Sequence, residues 1–205
     1  MTRLQRKRRR QWTAVYVILS TVILTLCAVI AFGYQTEEPE VIHEPELKPI
    51  AEIKAEIATR TDYPTKFYYR QDIPLDHYTQ ETLYNAAMEW GVPYELAVAV
   101  CWRETNFMDL VTTNDTGVYY GMMAVQKASA QKYMELCGVD HLNSMEERLR
   151  VGCCILGEHI ANYGVVRGLM AFNAGANGAA KQWAVGIEST VYTKDIMRYM
   201  EALME

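Results

Sequence analysis

Glu104 follows directly on an apolar run, Leu96-Ala97-Val98-Ala99-Val100-Cys101-Trp102, and Arg103. A carboxylate in that position meets two influences that disfavour its charged form, an apolar surround and the negative end of a helix dipole. A carboxyl that stays protonated near neutral pH is what a glycosidic leaving oxygen requires of a general acid. Arg103 is adjacent, but side chains at i and i+1 diverge on a helix, so it is not expected to cancel the effect. Taken alone, such a residue reads as a solvated acid at a helix end, and its neighbours change that reading. The other reactive side chains form no comparable pattern. His43, His77, His141 and His159 have no metal-ligand spacing and are expected as surface or packing residues, so no metal or cofactor is called for. Cys101, Cys137, Cys153 and Cys154 fit neither a zinc site nor a disulfide framework. They sit in apolar helical contexts as small buried hydrophobes, with a single disulfide as the alternative.

Three separated blocks surround the Glu104 reading. The first is Glu104-Thr105-Asn106-Phe107, the second Gly121-Met122-Met123-Ala124-Val125, and the third Ala171-Phe172-Asn173-Ala174-Gly175, with Tyr163-Gly164 before it and Tyr192 after it. In this order they resemble the lysozyme-like lytic transglycosylases, whose SLT-type catalytic domain shares its fold with goose-type lysozyme. The blocks are similar to that family's Glu-Ser-x-Phe, Gly-Leu-Met-Gln-Ile and Ala-Tyr-Asn-Ala-Gly, and the resemblance spans most of Tyr78 to Glu205. It implies Glu104 as the single catalytic acid and base, with Gly121, Met122, Met123, Tyr120, Phe172, Asn173 and Tyr192 around the substrate. Gly121 would let backbone approach a sugar, Met122 and Met123 would wall the carboxyl with apolar surface, and Tyr119 and Tyr120 would offer flat faces to sugar rings. Asn173 would bond substrate or Glu104, and Tyr192 would hold the carboxyl. For the methionines and tyrosines, plain core packing is the competing reading.

The implied reaction is cleavage between N-acetylmuramic acid and N-acetylglucosamine in peptidoglycan without water, leaving a 1,6-anhydro end. Four departures bear on it: Ala124 in place of Gln, Phe172 in place of Tyr, Thr105 in place of Ser, and a longer loop from Asp109 to Tyr120. None removes the acid, so a reduced rate or an altered glycan preference is expected. A hydrolytic muramidase using Asp109 or Asp115 to place water is one alternative. A catalytically weak wall-binding scaffold is the other.

The elements that must position these residues read as helices between short glycine-bearing turns, without strand alternation. Helices are expected over Thr79–Trp90, from Pro93 through Trp102, and over Lys127–Leu136, Met145–Tyr163, Val165–Phe172, Asn177–Trp183 and Thr190–Leu203. The second, apolar on all sides, should be the central buried helix. The fold class is all-α, a lysozyme-like domain over 78–205.

Before that domain the composition changes sharply. Six of the 20 Lys and Arg residues lie in the first ten positions, so the remainder carries 14 basic against 25 acidic residues although the whole chain is only at −5. The basic run adjoins Trp12–Tyr34, uncharged and long enough to cross a hydrocarbon core of about 30 Å. The run therefore reads as a topology signal rather than a nucleic-acid site. Residues 1–11 stay cytoplasmic, 12–34 form a single-pass membrane anchor, and the rest lies outside the cytoplasm. Ala31-Phe32-Gly33 offers the alternative of signal cleavage and secretion. Residues 35–77 form a linker and arm: an acidic spacer to about Arg60, with a short helical stretch over Ala51–Ala58, and an irregular Tyr- and Pro-rich arm over Asp62–His77 that packs on the domain. The implied partners are peptidoglycan strands, the membrane through the N-terminal helix, and unspecified envelope or secretion machinery.

Overall fold

Residues 47–59 and 66–205 are described by the computed structural model, and they belong to one unit, Glu44–Glu205. In chain order the elements are α1 (Ile50–Thr59), α2 (His77–Glu89), α3 (Tyr94–Thr105), β1 (Val111–Asn114), β2 (Gly117–Tyr120), β3 (Val125–Gln126), α4 (Lys127–Cys137), α5 (Met145–Tyr163), α6 (Val165–Ala174), α7 (Ala176–Ala184) and α8 (Val191–Met204). Every helix read from periodicity in 78–205 is present, within a few residues of its expected ends. At α2 the N-cap is Asp76, whose carboxylate accepts from the Thr79 N–H at 2.7 Å and starts the helix two residues early. Pro93 caps α3 rather than lying in its first turn.

The domain is mostly helical, as the all-α expectation has it, but the expectation of no strands requires correction. The segment after α3 is a three-stranded antiparallel sheet of order β1-β2-β3, with Val111 opposite Tyr120, Asn114 opposite Gly117, and Tyr119 opposite Gln126. Its strands are four, four and two residues long, and β1 is exposed throughout, so no alternating apolar pattern marked it. The turn is built locally, as Asn114 Oδ1 accepts from the Thr116 N–H at 2.9 Å and from its hydroxyl at 2.6 Å.

The core forms around α3 and α5. Leu96 to Cys101 are fully buried, as expected of the central helix, and Leu149, Val151, Cys153, Cys154 and Leu156 line the inner face of α5. Gly157 permits the tight crossing with α2, since a Cβ there would lie 2.3 Å from the Trp90 carbonyl oxygen. The four cysteines from Cys101 onward are buried free thiols.

Two segments N-terminal of Tyr78 are packed on the helical body: the arm, as expected, and α1, which reads from sequence as part of the spacer. In α1, Ile53 is 1% exposed, and Ile57 lies against Gly91. Lys54 Nζ stands 4.5 Å over the Trp90 ring, and the Lys48 backbone N–H donates to Asn162 Oδ1 at 2.8 Å. In the arm, the buried amide of Gln80 donates to the carbonyls of Arg70 (2.8 Å) and Leu75 (2.9 Å) and accepts from the Arg70 N–H (3.0 Å). Ile73 is buried beside it. Among the described residues no helix is long and apolar enough to cross a membrane. The expected anchor at 12–34 and the tail and linker around it up to residue 46 lie outside the described residues.

If α1 is part of the core rather than a spacer, Ile53→Ala removes buried methyl groups. Urea unfolding of the full chain should show a loss of about 2–4 kcal/mol; a loss near zero would return α1 to the linker.

Candidate active site

Glu104 sits in the last turn of α3, where the helix leaves the core. The helix ends at Asn106, which adopts a left-handed conformation (φ 51°), as does Phe107 (φ 67°), and this reverses the chain behind Glu104. Two contacts fix the surrounding turn. The Thr105 hydroxyl donates to the Met122 carbonyl at 2.9 Å, a role that serine could fill equally. Arg148 on α5 grips both oxygens of Asp109, at 3.0 and 2.5 Å.

From the opposite side comes Tyr192, in the first turn of α8. A reciprocal cap holds that turn: the Thr190 hydroxyl accepts from the Thr193 N–H at 3.3 Å, and the Thr193 hydroxyl accepts from the Thr190 N–H at 3.0 Å. The Tyr192 hydroxyl then donates to Glu104 Oε1 at 2.5 Å. Trp102 stacks on Tyr199 with ring centroids 4.5 Å apart, holding α8 against α3 about two turns further along α8.

Burial pushes the Glu104 carboxyl above the ordinary glutamate range. The Tyr192 hydrogen bond and the Arg103 charge both draw it back, and burial is the largest of the three. Arg103 therefore does reach Glu104 electrostatically. Its side chain nevertheless points elsewhere, with Nε 3.4 Å from Asp195 and the guanidinium 5.5 Å from the Tyr192 ring. Tyr192 itself is raised well above its ordinary value, first by its own burial and then by the Glu104 charge.

Two hollows meet at Glu104 and share Tyr119 and Ala124, so the carboxyl stands where they adjoin to form one groove. The larger, about 560 Å³, runs between Gln126, Tyr133, Ile155 and His159 on one side and Phe172, Asn173 and Ala176 on the other. The smaller, about 340 Å³, lies under Met108, Leu110, Thr112 and Gly121. A half-buried acid open on both sides to a groove can meet a chain-like ligand at an internal bond.

Of the residues singled out from sequence, Glu104, Tyr192, Gly121, Phe172 and Asn173 come together here. Asn173 is exposed on the groove wall and makes no hydrogen bond to Glu104 among the described residues. Gly121, at φ 71°, serves the fold as well: a Cβ there would lie 2.9 Å from Arg148 Cβ and 3.0 Å from Asp109 Oδ1. Three residues require correction. Met122 and Met123 are 2% and 1% exposed and belong to the core, the sulfur of Met123 lying 3.9 Å from that of Cys153. Tyr120 lines a separate hollow with Lys127, Met134 and His141, because adjacent strand residues face opposite sides and Tyr119 takes the groove side. Neither Asp109 nor Asp115 lines the groove; the first is paired with Arg148, and the second is exposed in the hairpin turn.

Sequence reasoning missed Gln126, Ser129, Tyr133 and His159 on the groove wall. His159 was expected at the surface or in packing. The signal was its place one turn after Ile155 on α5, which puts both on one helix face.

No family model matches the sequence, and no curated protein matches it. Four solved chains do. One is the X-ray structure of an inactive glutamate-to-glutamine mutant of the lytic transglycosylase Slt from Pseudomonas aeruginosa. It is 17% identical, with a TM-score of 0.50, and the match covers 62% of this chain and 24% of that one. The fold is thus lytic-transglycosylase-like, and this chain corresponds to about a quarter of the Pseudomonas protein's length.

The raised Glu104 carboxyl has a consequence for stability. Because its folded-state pKa exceeds the unfolded one, its contribution is present below the unfolded pKa and is lost as pH rises through the folded value. Glu104→Gln should therefore unfold at a higher temperature than the parent at pH 7.5, and the gap should close toward pH 4. Scanning calorimetry at both pH values checks this, and a less stable variant at pH 7.5 would contradict it.

Proposed function

We propose that this protein is a peptidoglycan lytic transglycosylase, with Glu104 as its single acid and base. The observation that carries the reading is the burial-raised carboxyl of Glu104, hydrogen-bonded by Tyr192 and open on both sides to one groove. In this reading protonated Glu104 donates to the oxygen linking N-acetylmuramic acid to N-acetylglucosamine, and the bond to that oxygen breaks. The muramyl 6-hydroxyl then bonds to the electron-poor carbon and gives its proton to the Glu104 carboxylate. Acid and base are restored, and no water is consumed.

Tyr192 suits both halves of this cycle, since its bond to the carboxylate steadies the charged intermediate state while burial favours reprotonation. A Glu-to-Gln change inactivates the Pseudomonas protein, which fits a mechanism centred on one glutamate. The engagement of Asp109 by Arg148 and the exposure of Asp115 leave a hydrolytic water without an evident second carboxylate, which favours the transglycosylase over the muramidase. Ala124 and Phe172, which line the groove where the family keeps Gln and Tyr, would lower rate or shift glycan preference. The basic N-terminus and Trp12–Tyr34 complete the reading: a single-pass anchor in the cell membrane, with the groove presented to the wall outside it.

Mass spectrometry of soluble fragments released from purified peptidoglycan by the full chain tests this. The parent should release 1,6-anhydromuramic ends, and Glu104→Gln should lower the rate by a factor of about 100 or more. Reducing ends would instead identify a muramidase, and equally negligible release from both proteins would favour a wall-binding scaffold.

A further inference from the structure

One wall of the larger hollow, at Tyr133 and His159, is not used by the reaction at Glu104, and an ion pair lies behind it. Glu158 on α5 is 6% exposed, and a carboxylate is costly to bury there unless paired. It accepts a short hydrogen bond from the Tyr133 hydroxyl and lies 3.3 Å from Lys132 Nζ, both on α4. With its proton committed to Glu158, the Tyr133 hydroxyl is left with its lone pairs as acceptor, and Tyr133 lines the hollow. The next residue, His159, lines the same hollow. No hydrogen bond to His159 exists among the described residues; its neighbour is the Tyr163 ring, with centroids 6.1 Å apart. Burial holds the imidazole below its ordinary pKa, so it is neutral at neutral pH, with one ring nitrogen donating and the other accepting.

We propose that His159 and Tyr133 form a second recognition point in the groove, which reads a neutral hydroxyl or acetamido substituent of the bound saccharide through a paired donor and acceptor. This rests on the glycan reading of the groove given above. A neutral substituent fits the surroundings better than a carboxylate, because Glu104 lies in the same hollow, Glu158 lies behind Tyr133, and Lys132 is already paired with Glu158. Glu158 acts here as a positioning residue that orients the Tyr133 hydroxyl.

The test is calorimetric binding of the neutral tetrasaccharide of N-acetylglucosamine to the full chain carrying Glu104→Gln, so that nothing is cleaved. Adding His159→Leu should weaken binding about tenfold, the value of one ligand hydrogen bond, whereas His159→Gln, which retains a donor and an acceptor, should stay within about threefold. Unchanged binding in His159→Leu overturns the proposal, as does equal weakening in both variants, and as does absence of binding by the parent. The release of anhydro ends, measured in parallel, separates the two readings. Release without any His159 effect on binding sinks this inference alone, and His159-dependent binding without release sinks the transglycosylase alone.

Discussion

The hydrogen bond from Tyr192 to Glu104 joins residues 88 positions apart, at a point where burial disfavours charge on the acceptor. Most of the structure around it can be understood as the means of holding those two side chains together without closing the groove. The fully buried α3 fixes one side, and the capped start of α8 fixes the other. The Arg103–Asp195 pair and the Trp102–Tyr199 stack join the two helices about one and two turns along α8 from the contact. A carboxyl tuned in this way needs shielding and access together. The left-handed turn at Asn106 and Phe107 meets both demands, ending α3 at the groove and sending the chain into the hairpin.

Much of this was legible in the sequence, and for identifiable reasons. The helices of 78–205 carry periodic apolar faces, and the Glu104, Gly121 and Asn173 blocks are short motifs in a fixed order. What escaped was information held in tertiary pairing. The sheet is too short and too exposed to show a period of two, and so Tyr120 was assigned to the groove when strand alternation turns it to the other side. Met122 and Met123 look suited to a groove wall by type, but the close approach of α5 at Gly152 draws Met123 into the core. Gln80 is a polar residue whose amide is satisfied only once the arm folds back on it, so its burial has no local signature. Helix α1 was readable as a helix, but its docking depends on the Trp90–Gly91 corner that receives Ile57.

The groove also shows how departures from a motif are absorbed. Thr105 supplies the hydroxyl that ties the turn to the Met122 carbonyl. Ala124 brings no amide to the place where the two hollows adjoin, and its φ of 47° lies in the left-handed region, a turn that a residue with a Cβ adopts at a cost. An amide still lines the groove two residues on, at Gln126, where its nitrogen bonds the Thr116 carbonyl at 3.0 Å and braces the hairpin. Groove shape is thus maintained by contacts within the motif blocks and outside them.

Burial, opposed by the Tyr192 hydrogen bond, holds the Glu104 carboxyl above the ordinary range. A carbon-13 NMR titration of glutamate side-chain carboxyls in the full chain, with Glu104→Gln to assign the resonance, measures this directly. Glu104 is predicted to titrate above the usual glutamate value of about 4.3, and higher still in Tyr192→Phe, which removes a bond to the charged form. A titration at or below the usual value, or a downward shift in Tyr192→Phe, would contradict the account.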